Sequence, residues 1–384
     1  MIGARIFLVS LGRKGGGPAY GFEAAKALSK KHTVIALCSQ YCEILPKWIT
    51  LAQKGKIELL SIPTYRSVGE FIQKTSHMKR IWEDILPSFE ACSPDIVYYP
   101  MGHPWDFYLD REFQKHRIPI IHTIHETNTS SEPSLFSKLL VRKGIVSNVT
   151  YASGIIMLNA RFKDDLTKKR KYPPERIQVI PHADFHDYTP LFIEEEASRK
   201  RTNILFFGRI NKSKGIDILY RAFEIAARED SELRLTVCGN GPLQKLKPTI
   251  DPMIEKRITV ENRWIGEEEI PGIFSACDFL LLPFQTHSQS GVIAMARAFG
   301  KPVITSDIGG IPEQVTDGVS GLLCQPGLAR DFAQKVLALA HTPALYRDLF
   351  RGMAEDRVRF SWDYSASLME SFFERILETK HQTI

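Results

Sequence analysis

The chain has 384 residues, 43% of them apolar and 24% charged, with a formal net charge of +6. These are the fractions of a soluble globular protein, and the length exceeds what one core serves, so two domains of roughly 150–200 residues are predicted. There is no internal repeat, no low-complexity stretch and no run near the roughly 18 apolar residues of a membrane span, which excludes a transmembrane anchor.

The first half opens with an apolar strand at 5–10, the loop Gly12-Arg13-Lys14-Gly15-Gly16-Gly17-Pro18, and a helix over about 19–30. This is a βα unit of nucleotide-binding type, although the spacing is not the G-x-G-x-x-G of dinucleotide folds, and glycines in such a turn also serve a tight turn alone. Further strands are predicted at 33–38, 95–99, 118–122, 154–158 and 179–181, with a helical period over 68–92 between them. The segment 189–201, acidic and then basic, reads as a linker. In the second half, the apolar runs 204–207, 233–237, 279–282 and 303–305 are too short for helices, hardly alternate, and are followed by Gly, Pro or polar residues. Strands buried on both faces of a parallel α/β sheet have this signature. A last helix over about 363–379 follows Phe360-Ser361-Trp362.

Cys38, Cys42, Cys92, Cys238, Cys277 and Cys324 are scattered, with no CxxC pair or zinc spacing, so buried reduced thiols and a cytosolic compartment are expected. The apolar run 6–11 is too short for a signal-peptide core. Charge is uneven: 26 Lys and Arg stand against 18 Asp and Glu through Pro190, and 24 against 26 beyond it. A basic first half suits an anionic partner, but nothing resembles a nucleic-acid module, so no nucleic acid is expected.

Ligands of parallel α/β sheets sit beyond the carboxyl ends of the strands, where helix N-termini offer free N–H groups to anions. Arg209 and Lys214 fall at such an edge, and two fixed cations there suit a pyrophosphate leaving group with no metal to neutralise it. Either one alone would read as a solvated surface charge.

The ordered series Gly208-Arg209-x4-Lys214-Gly215, Gly239-Asn240-Gly241-Pro242, Ser290-Gly291, Gly300-Lys301-Pro302-Val303 and Gly309-Gly310-x-Pro312-Glu313 resembles the retaining glycosyltransferases of family 4, over 203–324 most of all. The resemblance implies an α/β fold called GT-B: two Rossmann-like domains whose parallel sheets face each other across a cleft, and a C-terminal helix returning to the first domain. It places an acceptor-binding domain at 1–188, the linker at 189–201, a nucleotide-sugar domain at 202–360 and the returning helix at 361–384. It further implies a nucleoside diphosphate sugar as donor, no cofactor and no metal. Arg209 and Lys214 would stabilise the departing diphosphate, while Gly16, Gly17, Gly208, Ser290 and Gly291 would cradle it. His125 would orient the sugar, as the histidine before an acidic residue does in the family. Gly239, Asn240, Gly241, Arg263, Trp264 and Ile265 would hold the base, and Gln289 keeps the following loop polar.

One departure stands out. Many members carry two glutamates eight positions apart, the first facing the sugar and the second bonding the ribose from the helix before Gly-Lys-Pro. Counting back from Gly300 puts His287 and Met295 there, and no Asp or Glu occurs between Asp278 and Asp307. A charged hydrogen bond to a ribose hydroxyl contributes roughly 1.5–3 kcal/mol, so nucleotide binding is expected to be weaker or to use a substitute, for which Glu313 is the first candidate.

In the first half, His103 and the run His122-Thr-Ile-His125-Glu126-Thr-Asn128 follow strand ends. His103, Glu126 and Asn128 are acceptor candidates, whereas His122, one step inside its strand, reads as core. Neither His122 with His125 nor Asp164-Asp165 has metal-ligand spacing. Over 131–143, Leu135, Phe136, Leu139 and Leu140 share a helical face with Lys138, Arg142 and Lys143 around it, and Lys168-Lys169-Arg170-Lys171 adds a second basic patch. The pattern suits a helix lying on an anionic membrane surface, and equally a helix docked on its own core.

The whole reads as a metal-independent hexosyltransferase acting with retention on a lipid-linked or growing surface-polysaccharide acceptor, cytoplasmic and peripheral to the membrane. A GT-B nucleotide-sugar epimerase would need acids around the hexose, which the loop after Pro283 lacks. A non-catalytic binding or assembly partner descended from a transferase is the other alternative.

Overall fold

A computed structural model describes residues 3–125, 149–161, 163–185, 201–286 and 289–381. The chain forms two compact units, one running to Pro181 and taking back the chain from Trp362, the other spanning His182–Ser361.

The described strands of the first unit form a seven-stranded, wholly parallel sheet. They are β1 (Arg5–Ser10), β2 (Thr33–Ser39), β3 (Glu58–Ile62), β4 (Ile96–Tyr99), β5 (Ile120–Ile124), β6 (Gly154–Met157) and β7 (Ile177–Val179), ordered β3-β2-β1-β4-β5-β6-β7. The second unit repeats the plan with β8 (Thr202–Phe207), β9 (Leu233–Gly239), β10 (Ile258–Asn262), β11 (Phe279–Leu282), β12 (Val303–Ser306) and β13 (Gly321–Cys324), ordered β10-β9-β8-β11-β12-β13. In each sheet the order reverses at the first strand, which lies between neighbours whose chains cross over in opposite directions. That reversal opens a crevice at the carboxyl edge.

Residues along the whole of β4, β5, β6, β11 and β12 are buried, as expected of parallel strands covered on both faces. The edge strands β3 and β10 are half exposed, and the sequence reading passed over both because neither is a buried apolar run. The helical period over 68–92 is two helices, Val68–Thr75 and Met78–Cys92. Between them the Ser76 hydroxyl and the His77 ring both bond back to the Gln73 carbonyl, at 2.6 and 2.8 Å, and end the first helix. Phe7, Phe89, Phe113 and Trp82 meet ring to ring beneath the first sheet and fix these helices on it.

The first unit ends at Pro181, short of the 188 read from sequence, because Asp184 is tied to Arg297 and to the Phe360 carbonyl of the second unit. The segment 189–201 lies outside the described residues apart from Arg201. The last helix, Trp362–His381, belongs to the first unit. Trp362 packs edge-on to Tyr20 at 4.9 Å, Phe373 lies 5.3 Å from Tyr98, and Glu370 pairs with Lys31 at 2.9 Å. At Gly154 an added Cβ would come within 2.7 Å of the Phe372 ring, so the helix lies directly on β6. Phe360, just before this helix, lies with its ring 3.6 Å from the Arg297 guanidinium carbon, within the second unit.

All six cysteines are free, and burial pushes the Cys38 thiol up to about 12 and the Cys238 thiol up to about 11. Among the described residues no helix is long and apolar enough to cross a membrane.

Candidate functional site

The carboxyl edge of the second sheet is built from interlocked loops. After β8 the chain turns at Gly208, whose φ of 125° falls where side chains are strained. A Cβ on Gly239 would lie 1.7 Å from the Gly208 carbonyl oxygen, and one on Gly241 would lie 1.9 Å from that of Ile210. Asn262, ending β10, both accepts from the Gly241 amide and donates to the Gly241 carbonyl, at 3.1 and 3.0 Å. The glycines of the Gly239-Asn240-Gly241 run therefore let two loops lie backbone to backbone. Asn240 itself is exposed beside them.

Arg209 is exposed on this edge, and no described residue pairs with its guanidinium. Asn211 caps the short helix Lys212–Lys214 by accepting from the Lys214 amide at 3.1 Å. Gly215 then starts the helix Ile216–Glu229, with the Pro283 carbonyl so near that a Cβ would sit 1.8 Å from it. The loop from β8 is thereby pressed on the loop from β11 at the point where the sheet order reverses. The Lys214 ammonium lies 4.4 Å from the Phe284 ring centre.

The helix Gly291–Ala298 begins at the same edge, since a Cβ on Gly208 would stand 3.5 Å from Val292. Here the sequence reading needs correction: the Ser290 amide is not open to a ligand. It donates to the Gln314 side-chain oxygen at 2.6 Å, while the Gln314 amide nitrogen donates back to the Ser290 carbonyl at 3.2 Å. The open groups are the Gly291 and Val292 amides, which no described residue engages, and the buried Ser290 hydroxyl, which has no described partner. Gln289 is buried just before them, and His287 lies outside the described residues. Gln314 was missed because nothing in its local sequence marks a side chain that clamps a segment 24 residues away.

On the far side of this edge, Trp264 is 47% exposed and Ile265 is buried. Arg263 is committed to neighbours: its guanidinium bonds Glu269 at 2.8 and 2.6 Å and Glu261 at 3.1 Å. The Arg263 hydrogen bonds, with the Gly266 amide, hold the Glu269 carboxyl down at about 2. Met295 is 9% exposed, one turn into its helix, and Glu313 is exposed on the short helix Ile311–Glu313.

In the first unit the helix after β1 starts at Gly16, three residues earlier than read from sequence, so Gly16 and Gly17 are its first turn and their amides point out of its N-terminus. The Glu43 carboxylate holds the preceding Gly15 amide at 2.5 Å. A Cβ on Gly17 would touch the Met101 side chain at 3.0 Å. His125 follows β5, half-buried, edge-on to Tyr20 at 4.8 Å, and its Nε2–H donates to the Pro100 carbonyl at 2.8 Å. A carbonyl only accepts, so Nε2 carries a proton.

His103 accepts from the Trp105 amide at 3.2 Å, and burial, with Arg13 nearby, pushes it down to about 3. It is neutral. His122 is fully buried, stacked on Tyr99 at 4.2 Å and bonded to Asp110 at 3.1 Å, the core role read from sequence. Glu126, Asn128 and the basic segment 131–143 lie outside the described residues.

Both halves match known families: residues 14–183 match Glycosyltransferase Family 4, and residues 201–342 match the family described as glycosyl transferases group 1. The chain is a glycosyltransferase family 4-like protein. It is 28% identical over 281 residues to the D-inositol 3-phosphate glycosyltransferase of Corynebacterium aurimucosum, covering 67% of this chain and 66% of that one. It thus spans about two thirds of that relative's length. Its fold is GT-B. The crystal structure of HepE from Anabaena, in complex with UDP and glucose, superposes with a TM-score of 0.69 at 18% identity, covering 99% of this chain and all of that one. A structure from Listeria monocytogenes described as a UDP-N-acetylglucosamine 2-epimerase superposes at 0.62 and 13% identity, covering 97% of each chain. The fold alone therefore does not choose the reaction.

Proposed function

We propose that the protein is a retaining glycosyltransferase that moves a hexose from a nucleoside diphosphate sugar to an acceptor hydroxyl without a metal. In the reaction the bond from the anomeric carbon to the diphosphate oxygen breaks, the bond to the acceptor oxygen forms, and the acceptor proton leaves with the diphosphate. The observation that carries this reading is the reversal point of the second sheet. The Arg209 and Lys214 loop there lies against the β11 loop, and the open Gly291 and Val292 amides adjoin Gly208. Cations and oriented amides are the groups that stabilise a departing diphosphate. In the first unit the Gly16 and Gly17 amides suit a phosphate, and His125 offers the sugar a ring oriented by the Pro100 carbonyl. Trp264 supplies an exposed aromatic face for a base.

The basic first half and the family resemblance support a lipid-linked or growing surface-polysaccharide acceptor, with His103, Glu126 and Asn128 as its candidate contacts. Thermal-shift screening against nucleotides and nucleotide sugars tests the donor, followed by assay of donor cleavage with and without EDTA. Stabilisation by one nucleoside diphosphate and EDTA-resistant cleavage are expected; loss of activity that Mg²⁺ or Mn²⁺ restores would overturn the metal-independent mechanism. Met295, standing where the family carries a ribose-bonding glutamate, favours one rival: a partner that binds a nucleotide without turning it over. Donor binding with no cleavage, even to water, would establish that rival.

A further inference from the structure

Arg297 is fully buried in the helix Gly291–Ala298, where an arginine is costly unless it is paired; both of its Nη atoms are engaged, while Nε has no hydrogen-bond partner among the described residues. Its Nη1 donates to Asp184 Oδ1 at 2.7 Å, its Nη2 donates to the Gln314 carbonyl at 2.6 Å, and its plane covers the Phe360 ring at 3.6 Å. Asp184 is 3% exposed, and its amide donates to the Phe360 carbonyl at 2.9 Å. Gln314, also 3% exposed, is held at its main chain by Arg297 and grips the Ser290 amide and carbonyl with its side chain. One unbroken relay thus runs from Asp184 through Arg297 and Gln314 to the residue before the open Gly291 and Val292 amides.

We propose that Asp184 and Arg297 are a positioning pair that acts through Gln314 to fix the start of the Gly291–Ala298 helix, so that its open amides are aimed before an anion arrives. Neither residue touches the ligand. The part of this concerning the donor rests on the function proposed above; the part concerning the helix start does not. A preformed set of N–H donors binds a phosphate without the ordering cost of a frayed terminus.

A structural role alone predicts a different pattern of variants. Arg297→Met leaves Asp184 buried without its Arg297 partner and should lower the melting temperature sharply. The double variant Asp184→Asn with Arg297→Met removes both charges and should recover much of that loss, yet the Gln314 carbonyl still lacks its donor. Gln314→Ala keeps the ion pair and removes only the grip on Ser290. Hydrogen exchange in the ligand-free protein reads the helix start directly. Both the double variant and Gln314→Ala should speed exchange of the bonded Ser290 and Ile293 amides by about tenfold or more, the loss of roughly one hydrogen bond's protection, while β12 is unchanged. Unchanged exchange at these amides in both would overturn the proposal. Titration with nucleoside diphosphates should then show affinity about five- to tenfold weaker in both variants, even where the melting temperature is restored. Affinity that returns with stability in the double variant would also overturn it. If exchange responds but the unmodified protein binds no nucleoside diphosphate, the pair positions the helix and it is the proposed function that fails.

Discussion

The Lys214 ammonium lies 4.4 Å from the centre of the Phe284 ring, and Phe284 is 1% exposed on the loop leaving β11. The ring's negative face restrains a long, flexible cation at the edge where the sheet order reverses. On the proposed function, Arg209→Ala and Lys214→Ala are each expected to lower turnover roughly 10²–10³-fold with little change in melting temperature, because each would remove a charge that stabilises the leaving diphosphate. Steady-state kinetics with the identified donor check this, and near-normal rates in both would sink the assignment.

Gly239→Ala should damage the fold as well as the site. The new methyl would meet the Gly208 carbonyl oxygen at 1.7 Å, at a φ of 151°, with only backbone to move. A loss of about 3 kcal/mol or more is expected in denaturant unfolding. Gly16→Ala, where nothing stands within 4 Å, should change stability little by the same measurement.

Met295 can offer a ribose only van der Waals contact and a weak thioether acceptor. Ribose and deoxyribose forms of the preferred nucleoside diphosphate should therefore bind within a few-fold of each other, whereas a ribose-reading carboxylate would separate them by roughly tenfold or more. Calorimetry decides between these outcomes. A strong ribose preference would point to Glu313, exposed on its short helix, as the substitute.

Stability should fall on acidification. Burial depresses His182 to about 4 and His103 to about 3, so the unfolded chain, with histidines near 6.5, takes up protons first. Their contribution is present above about 6.5 and is lost as pH falls towards 4 and 3. Asp184 and Asp106 work against them: burial outweighs Arg297 and raises Asp184 to about 6, and burial with Asp110 nearby raises Asp106, so the folded chain binds those protons before the unfolded chain does. Melting temperature should decline between pH 6.5 and 4, and more steeply in Asp184→Asn, which lacks one of the two opposing groups. A melting temperature that rises over this window would contradict the account.

The basic first half predicts salt-sensitive binding to anionic liposomes, weakening as the Debye length falls from about 10 Å at 0.1 M to about 3 Å at 1 M. Replacing Lys138, Arg142 and Lys143 by glutamine should reduce it. Absence of sedimentation with liposomes at low salt would favour a soluble acceptor.

Most buried strands were legible because a parallel strand covered on both faces is apolar throughout, as β11 is, whereas β13, only four residues long and opening on Gly321, was missed. β3 and β10 were missed too, since an edge strand such as Ile258–Asn262, with its exposed Thr259 and Val260, lacks that run. The glycines at 208, 215, 239 and 241 could be placed because each backbone approach leaves a local mark. What sequence hid was the second layer. Arg297 sits in an alanine-rich helix where a lone cation reads as surface, and its partners lie 113 and 17 residues away. Ser290 was misjudged for the same reason: its amide has the right place in the helix but is already bonded to Gln314.

The return of Trp362–His381 to the first unit sets an order of assembly during synthesis. The second unit, His182–Ser361, is contiguous, whereas the first lacks the cover on β6 and Tyr98 until Phe372 and Phe373 have been made. At translation rates of about 5–20 residues per second, the first unit waits about 10–40 s beyond its own residue 181 with that surface open. The part made first is thus the last to be completed, and in that interval its uncovered surface is open to chaperones and to premature association.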